Sequence, residues 1–492
     1  MNKSFVSKTM TFLSLVLLVA ALHAQTNDAI SREDGSSKVR IVRLSQVKGA
    51  VEIERTSDGG FERAIANLPV VEHNQIRTGV GVAEVEFEDN SSLRLVPNTT
   101  VEFPLLGRNA NGGTVSSVHV IKGTAYISLA KAQSSKAPVN EFALIFGDRS
   151  LKLDPATHVR LDVEGTQARL AVLDGEVRVD RAEGAASIPK KKTATFDMFA
   201  EDEPTIAKDV EKTEFDSWDH TSTSYHSGVS SMSAFNSPYS YGLSDMAYYG
   251  SFMDAGDCGS MWRPYFASAA WDPYSNGAWA WYPGAGYSWV SPYPWAWTPY
   301  HYGSWSFCPN VGWGWMPSGG WYGLNNVAAL LPTGVKGSGV HGPRLPPIHP
   351  PLPHQPTLVA VNTKPMTSSE MTSATTFLFR NDSAGLGVPR GTLGHLGKFS
   401  REAEGHGVAR TPIYISIPQA SNSNGRMTMS QAMGASIHRG YAPSTPSVSS
   451  GGGSVGSSSG SSGGSIGSSS RSSSAGVAPS VPSAPSGGGT HK

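Results

Sequence analysis

Trp271-Asp-Pro-Tyr-Ser-Asn-Gly-Ala-Trp279 and Trp297-Thr-Pro-Tyr-His-Tyr-Gly-Ser-Trp305 are near copies of one unit, Trp-x-Pro-Tyr-x-x-Gly-x-Trp. Around them Trp281, Trp289, Trp297, Trp305, Trp313 and Trp321 recur at eight-residue steps. Trp271, Trp279 and Trp295 keep the same step two residues out of phase, with Tyr287 in the gap. An even period places every ring on the same side of an extended strand, and eight residues suit a short strand plus a tight turn. Pro sets φ for the turn and Gly supplies its positive-φ corner. The spacing therefore predicts a Trp-rich β-repeat module over residues 240–322.

Residues 262–321 contain almost no Leu, Ile or Val, yet a folded unit there needs a core. Each aromatic ring can bury roughly 150–250 Å², so the rings can supply that core. The other reading is a partly exposed aromatic face, with Trp281, Trp289, Trp297, Trp305, Trp313 and Trp321 as ligand-binding residues that stack on sugar rings. Arg263 and Asp272 are the only formal charges in the span. Such binding would rest on stacking and hydrogen bonds, and nucleic acid, which needs a basic groove, is excluded as a partner.

Upstream, residues 38–183 read as strand throughout. Ala83, Val85 and Phe87 alternate with Glu84, Glu86 and Glu88, the pattern of a half-buried strand with an acidic, solvated outer face. Ser92-Leu-Arg-Leu-Val-Pro-Asn-Thr-Thr-Val-Glu-Phe103 aligns without a gap on Ser150-Leu-Lys-Leu-Asp-Pro-Ala-Thr-His-Val-Arg-Leu161. Gly49-Ala-Val-Glu-Ile53, Gly123-Thr-Ala-Tyr-Ile127 and Gly175-Glu-Val-Arg-Val179 are a second recurring unit. Strand–turn–strand repeated at this grain predicts an all-β fold of wound or stacked short strands.

Val47-Lys-Gly-Ala-Val-Glu-Ile53, Ile76-Arg-Thr-Gly79 ahead of Ala-Glu-Val-Glu-Phe87, Asn90-Ser-Ser-Leu-Arg-Leu-Val-Pro-Asn-Thr-Thr-Val101 and Leu173-Asp-Gly-Glu-Val-Arg-Val179 resemble the FecR-like domain family. The resemblance implies a periplasmic β-domain, which in iron-transport signalling relays receptor occupancy to a sigma factor across the inner membrane. The chain departs from that pattern, with no cytoplasmic anti-sigma segment ahead of the domain and no spanning helix. Gly242-Leu-Ser-Asp-Met-Ala-Tyr-Tyr-Gly250 followed by the Trp repeat is similar to an uncharacterised Trp-rich family, over about residues 215–321, often found after FecR-like domains.

The N-terminus reads as a signal peptide over residues 1–24. Lys3 and Lys8 precede an apolar run from Met10 to Ala21, and Leu22-His23-Ala24 offers a cleavage site before Gln25. The run is too short to span a bilayer, so no transmembrane span is expected after its removal; an uncleaved N-terminal anchor is the alternative. The expected location is the periplasm or outer cell surface. Cys258 and Cys308 are the only cysteines. In an exported chain they form a disulfide more readily than they remain free, with two buried thiols as the alternative, and without Cys-x-x-Cys spacing they give no metal site.

Residues 184–239 read as a linker, 323–420 as a Pro-rich, poorly ordered segment, and 421–492 as a Ser/Gly-rich disordered tail. Within the second, Pro343 to Pro356 favours extended polyproline geometry. The formal charge sums to zero, but from Trp321 onward twelve Lys+Arg face four Asp+Glu. The chain therefore divides into an acidic front and a basic rear. Lys190-Lys-Lys192 neutralises too few phosphates for a nucleic-acid site, and the seven histidines after Trp321 are too dispersed to hold a metal.

No nucleophile elbow, metalloprotease helix or phosphate loop occurs, and His301 reads as a surface or turn histidine with no nucleophile beside it. The expectation is no enzyme, no catalytic residue, no cofactor and no metal. The chain reads as an exported binding or scaffold protein of the bacterial envelope, whose partner is an envelope protein or glycan. The alternatives are a periplasmic sensor or relay component acting with a separate membrane partner, and an accessory carbohydrate-binding protein using the Trp repeat.

Overall fold

The computed structural model describes residues 39–412, apart from 56–58, 133–137, 180–183, 185, 201–202, 228–231, 333–341, 353–354, 356, 362–367 and 374–375. The segment expected to be a signal peptide and the Ser/Gly-rich tail lie outside the described residues. Strands predominate and helices are few.

The first domain is a 15-stranded assembly in two layers that share one strand, Thr114–Ser128. Its C-terminal part pairs with Ser92–Leu95 and His158–Glu164 in one layer. Its N-terminal part pairs with Thr100–Arg108 and Glu141–Phe146 in the other. Aliphatic side chains from both layers meet in one core that includes Leu44, Ile53, Val85, Leu95, Ile127 and Leu161.

The two sequence repeats mark where the chain changes layer. Each copy of the duplicated segment is strand, Pro turn, strand. Ser92–Leu95 leads into Thr100–Arg108, and Arg149–Leu153 leads into His158–Glu164 in the reverse direction. Equivalent residues Asn98 and Ala156 take left-handed φ of 62° and 65° at the turn. The recurring glycines Gly49, Gly123 and Gly175 have φ of 75°, 88° and 77°, corners at which a side chain would be strained. A Cβ on Gly123 would also meet Thr99 at 2.6 Å.

The sheet does not stop at residue 183. Lys192–Asp197 pairs with Gln167–Asp174, and Thr205–Ala207 adds the outermost strand. The helix Asp216–Ser227 follows. The described residues of 184–239, expected as a linker, thus extend and cover the first domain.

In the Trp module two hairpins carry the eight-residue step. Ala278–Tyr282 pairs with Gly286–Val290, setting Trp279 opposite Trp289 and Trp281 opposite Tyr287. Ser304–Cys308 pairs with Gly312–Met316, setting Trp305 opposite Trp315 and Phe307 opposite Trp313. Between them the array is interrupted, because Trp297–His301 is a helical turn, whereas the matching start of the first copy at Trp271 is an ordinary turn. Pro tolerates both geometries near a helix start.

Residues 323–420 were expected to be poorly ordered; as far as Pro412 they include further structure. The strands Thr376–Arg380 and Val408–Pro412 pair, and Leu396–His406 is a helix. From these elements Phe377, Phe379, Leu396, Ala403 and Ala409 enter the Trp core. Their spacing shows no simple period because they fill gaps in a core framed by other segments. Cys258 and Cys308 form a disulfide with a Cα–Cα distance of 6.0 Å across a sequence separation of 50. Chain-entropy estimates put such a loop at about 4 kcal/mol at most. Cys258→Ser or Cys308→Ser should lower stability by up to that amount in denaturant titration. An unchanged midpoint would show that the bridge closes nothing the fold does not already hold.

Candidate functional site

The second face of the strand Val82–Glu86 carries a dense cluster of charged side chains, and it is dry. Glu84 and Glu86 are 0% exposed and Glu88 is 5% exposed. This overturns the expected solvated acidic face. Alternation correctly separates the two faces, but the polar one is covered by the helix Asp216–Ser227 and by the Trp module.

Register places the countercharges. Glu86 sits opposite Arg43 and Glu84 opposite Arg94 on the flanking strands. Arg94 Nε donates to Glu84 Oε2 at 2.8 Å and its Nη1 donates to Asp219 Oδ1 at 2.7 Å. Arg43 Nη1 lies 2.9 Å from Glu86 Oε2 and 2.7 Å from Asp245 Oδ2. From the basic rear of the chain comes Arg390. It grips Asp245 through Nε at 2.8 Å and Nη2 at 2.7 Å, and Glu84 Oε1 through Nη1 at 2.5 Å. His226 Nε2 stands 3.0 Å from Glu84 Oε1 and 3.3 Å from Glu86 Oε1, and His158 Nε2 is 2.9 Å from Asp219 Oδ2.

Three guanidiniums therefore face four carboxylates, with two imidazoles beside them. Burial alone would raise the Glu84 carboxyl. The charges of His226 and Arg390, the hydrogen bond from His226 and the charge of Arg94 outweigh it and hold Glu84 well below its ordinary range. Arg390 is likewise opposed by burial, but Asp245, Glu84 and Glu86 push it well above its ordinary value.

The helix is built for this surface. Asp219, Thr223 and His226 recur at three- and four-residue steps, one face of a helix, and that face meets Arg94, Glu84 and Glu86. A polar sheet face thus takes a polar helix stripe. Glu84, Glu86 and His226 bring one potential ligand atom each to within 4.8 Å of one another, a geometry open to a small cation. Arg43, Arg94 and Arg390 already neutralise these carboxylates, and a divalent ion would sit against three guanidiniums. The arrangement is that of a structural ion lattice.

Of the residues singled out from sequence, Trp289, Trp297, Trp305 and Trp313 are buried, at 0 to 4% exposure. Trp281 and Trp321 are half-buried. Trp321 stacks on Tyr241 and His301 at centroid distances of 5.4 and 5.5 Å. His301, read from sequence as a surface or turn histidine, closes the helical turn Trp297–His301 and is buried, at 2% exposure. Its Nδ1 lies 2.7 Å from the Gly323 carbonyl. Burial pushes it down to about 4, with Arg43 adding to the fall and the Gly323 contact opposing it.

Sequence reasoning missed Arg43, Arg94, Asp219, His226, Asp245 and Arg390. The stripe of Asp219, Thr223 and His226 was the available signal for the helix; nothing local marks Arg390. A cavity of about 360 Å³ near the start of the helix is lined by Val96, Thr124, Tyr126, Thr213, Glu214 and Phe215. Burial pushes the Tyr126 hydroxyl up, which leaves it a poor acid or base.

The double-layered β-domain and the Trp module correspond to two matched families in the order expected. Residues 74–178 match the family described as FecR protein, and residues 243–330 match the one described as a family of unknown function (DUF6600). No curated protein matches. Two crystal structures of a candidate anti-sigma factor from Parabacteroides distasonis are similar to 27% of this chain, at 14% identity and a TM-score of 0.23. The chain covers 59% of that protein's length.

Two outcomes test the lattice and the buried histidine beside the Trp ladder. Arg390→Ala leaves buried carboxylates uncompensated and should cost about 3–5 kcal/mol in urea unfolding; a loss under about 1 kcal/mol would mark the contacts as incidental. For pH, His301 has a folded value below its unfolded one. Its contribution is complete above about 6.5 and is lost as pH falls from there to about 4, by about 3 kcal/mol. Glu84 is also depressed, so its contribution is present above its unfolded value and fades as pH falls through the lower folded one. Stability measured in urea should decline below about pH 6.5, and His301→Phe should flatten that upper limb.

Proposed function

We propose that this chain is an exported, non-enzymatic scaffold or binding protein of the bacterial envelope. In it a FecR-type β-domain and the Trp module work as one body. The observation that carries the reading is the shared lattice. Glu84 and Glu86 of the first domain and Asp245 of the module are held through the same Arg43 and Arg390 side chains. Around it Asn67 donates to the carbonyls of Ser291 and Tyr293 at 2.9 and 2.6 Å, and Tyr282 donates to the Pro69 carbonyl at 2.6 Å. A body joined in this way offers surfaces in a fixed relation to each other. The disulfide fits an oxidising compartment.

A sensor or relay role with a separate membrane partner is the second reading, favoured by the FecR match. No helix among the described residues is long and apolar enough to cross a membrane, so such a relay would draw on that partner. The carbohydrate-binding reading is narrowed to Trp281 and Trp321, since the other four ladder rings would have to leave the core to stack on sugar.

The surface best placed for a protein partner is the outermost strand Thr205–Ala207, exposed along its length, because an open sheet edge invites strand addition. A photo-crosslinking residue at Ile206 in the full chain, expressed in its own cells, should yield an adduct with one envelope protein. Intact mass of the unlinked chain should begin near Gln25. Adducts with glycan alone, or recovery of the chain from the cytoplasm with its first residues intact, would overturn the proposal.

A further inference from the structure

The two central carboxylates of the lattice are served unevenly. Glu86 Oε2 accepts hydrogen bonds from Arg43 Nη1 at 2.9 Å and from the Gly242 amide at 3.0 Å. Its other oxygen, Oε1, accepts none, although the side chain is only 1% exposed. His226 Nε2 stands 3.3 Å from it and Arg390 Nη2 4.0 Å. A buried carboxylate oxygen without a donor is costly, so a cation brought to it would be stabilising. Glu84 is divided in the same way. Arg94 Nε holds its Oε2 at 2.8 Å, while Oε1 faces Ser45 Oγ at 2.8 Å, His226 Nε2 at 3.0 Å and Arg390 Nη1 at 2.5 Å.

Both Oε1 atoms and His226 Nε2 lie within 4.8 Å of one another. A four-coordinate Zn2+ with ligands at about 2.0–2.2 Å sets neighbouring ligand atoms about 3.4 Å apart. The imidazole already stands 3.0 and 3.3 Å from the two carboxylates. Arg43 and Arg94 are engaged on the opposite oxygens, so of the three guanidiniums only Arg390 competes for this set. Its side chain is 9% exposed where those of Arg43 and Arg94 are sealed at 0%. Arg390 therefore also stands on the side from which an ion would enter.

We propose that Glu84, Glu86 and His226 form a site for a divalent cation of the Zn2+ class that Arg390 caps, so that the ion and the seated guanidinium exclude each other. One imidazole with two carboxylates suits a borderline ion, whereas Mg2+ and Ca2+ prefer all-oxygen shells. The exchange balances in charge, since a divalent ion replaces one guanidinium and one imidazolium proton. His226 Nδ1 has no protein acceptor, so the ligand lacks the supporting hydrogen bond of permanent zinc centres, and the site is an exchangeable one. Arg390 is carried by a strap, residues 388–393, which is tied at its ends. The Tyr249 hydroxyl donates to the Val388 carbonyl and the Tyr248 hydroxyl to the Leu393 carbonyl, both at 2.8 Å. Displacing the guanidinium loosens this strap at its centre. Arg43 still joins Glu86 to Asp245, so the inference stands apart from the scaffold role.

The test uses the full chain with Zn2+ as probe and Mg2+ as control. By calorimetry, Arg390→Met should bind one Zn2+ at least about tenfold more tightly than the parent, and Mg2+ should not compete. Adding His226→Ala or Glu86→Gln to Arg390→Met should return the affinity to that of the parent. In the parent itself, which needs no substitution to be tested, excess Zn2+ should speed hydrogen exchange at residues 388–393. Binding by Arg390→Met no tighter than the parent's, or binding that survives His226→Ala, overturns the proposal. Unchanged exchange of the strap under Zn2+ overturns it as well.

Discussion

Two carboxylates on one strand, Glu84 and Glu86, have no access to water, and most of the tertiary structure follows from how they are neutralised. An uncompensated buried carboxylate costs several kcal/mol even after relaxation. Arg43 and Arg94 come from adjacent strands, so the first domain supplies part of the compensation by register alone. The remainder comes from His226 on the covering helix and from Arg390, separated from Glu84 by 306 positions. The β-domain is therefore incomplete without segments that a reader of the sequence would set aside as linker and as poorly ordered chain.

Buried ion pairs are weak evidence for stability, since apolar replacements are often neutral or better. Their value here lies in geometry. An apolar face would accept the Trp module at several rotations. The forked Arg390 has acceptors on both bodies, Asp245 on the module and Glu84 and the Ser45 carbonyl on the sheet, and these acceptors fit one pose. On this reading the lattice fixes the relative placement of the two modules, and the aliphatic and aromatic cores do the rest. Tyr241, Tyr282 and Trp297 belong to the first core although they come from the module side.

How much was legible varies with how local the signal is. The alternation of Ala83, Val85 and Phe87 gave the strand, and the duplicated segments gave strand–turn–strand units, because each rule concerns neighbours in the chain; that these turns change layer came only with the structure. What covered the opposite face was invisible, because alternation specifies two faces without saying which is wet. Asp216–Ser227 has no apolar stripe, since its partner surface is polar. Arg390 lies among glycines and prolines with no pattern to mark it. The one global trace was the charge division, an acidic front against a basic rear, of which Arg390 on Glu84 is one contact.

The Trp module raises a separate question, why a core should be made of indoles and phenols when aliphatic side chains pack as well. Its strands are short and most of its backbone is turn or loop, so many carbonyls have no ladder partner. Aromatic side chains with a polar tip answer both needs at once. Trp262, Trp295 and Trp315 donate to the carbonyls of Met246, Ala384 and Tyr302. Tyr249, Tyr274 and Tyr300 do the same for Val388, Leu330 and Pro273. Leucine could fill the volume but would leave those carbonyls unpaired. The buried indole N–H groups of Trp289, Trp297 and Trp305 meet no protein acceptor, so not every rung can be explained by its polar tip. Those rungs are held by ring packing alone, as where Trp305 lies against Trp271, Trp295 and Tyr300 at 5.8 to 5.9 Å.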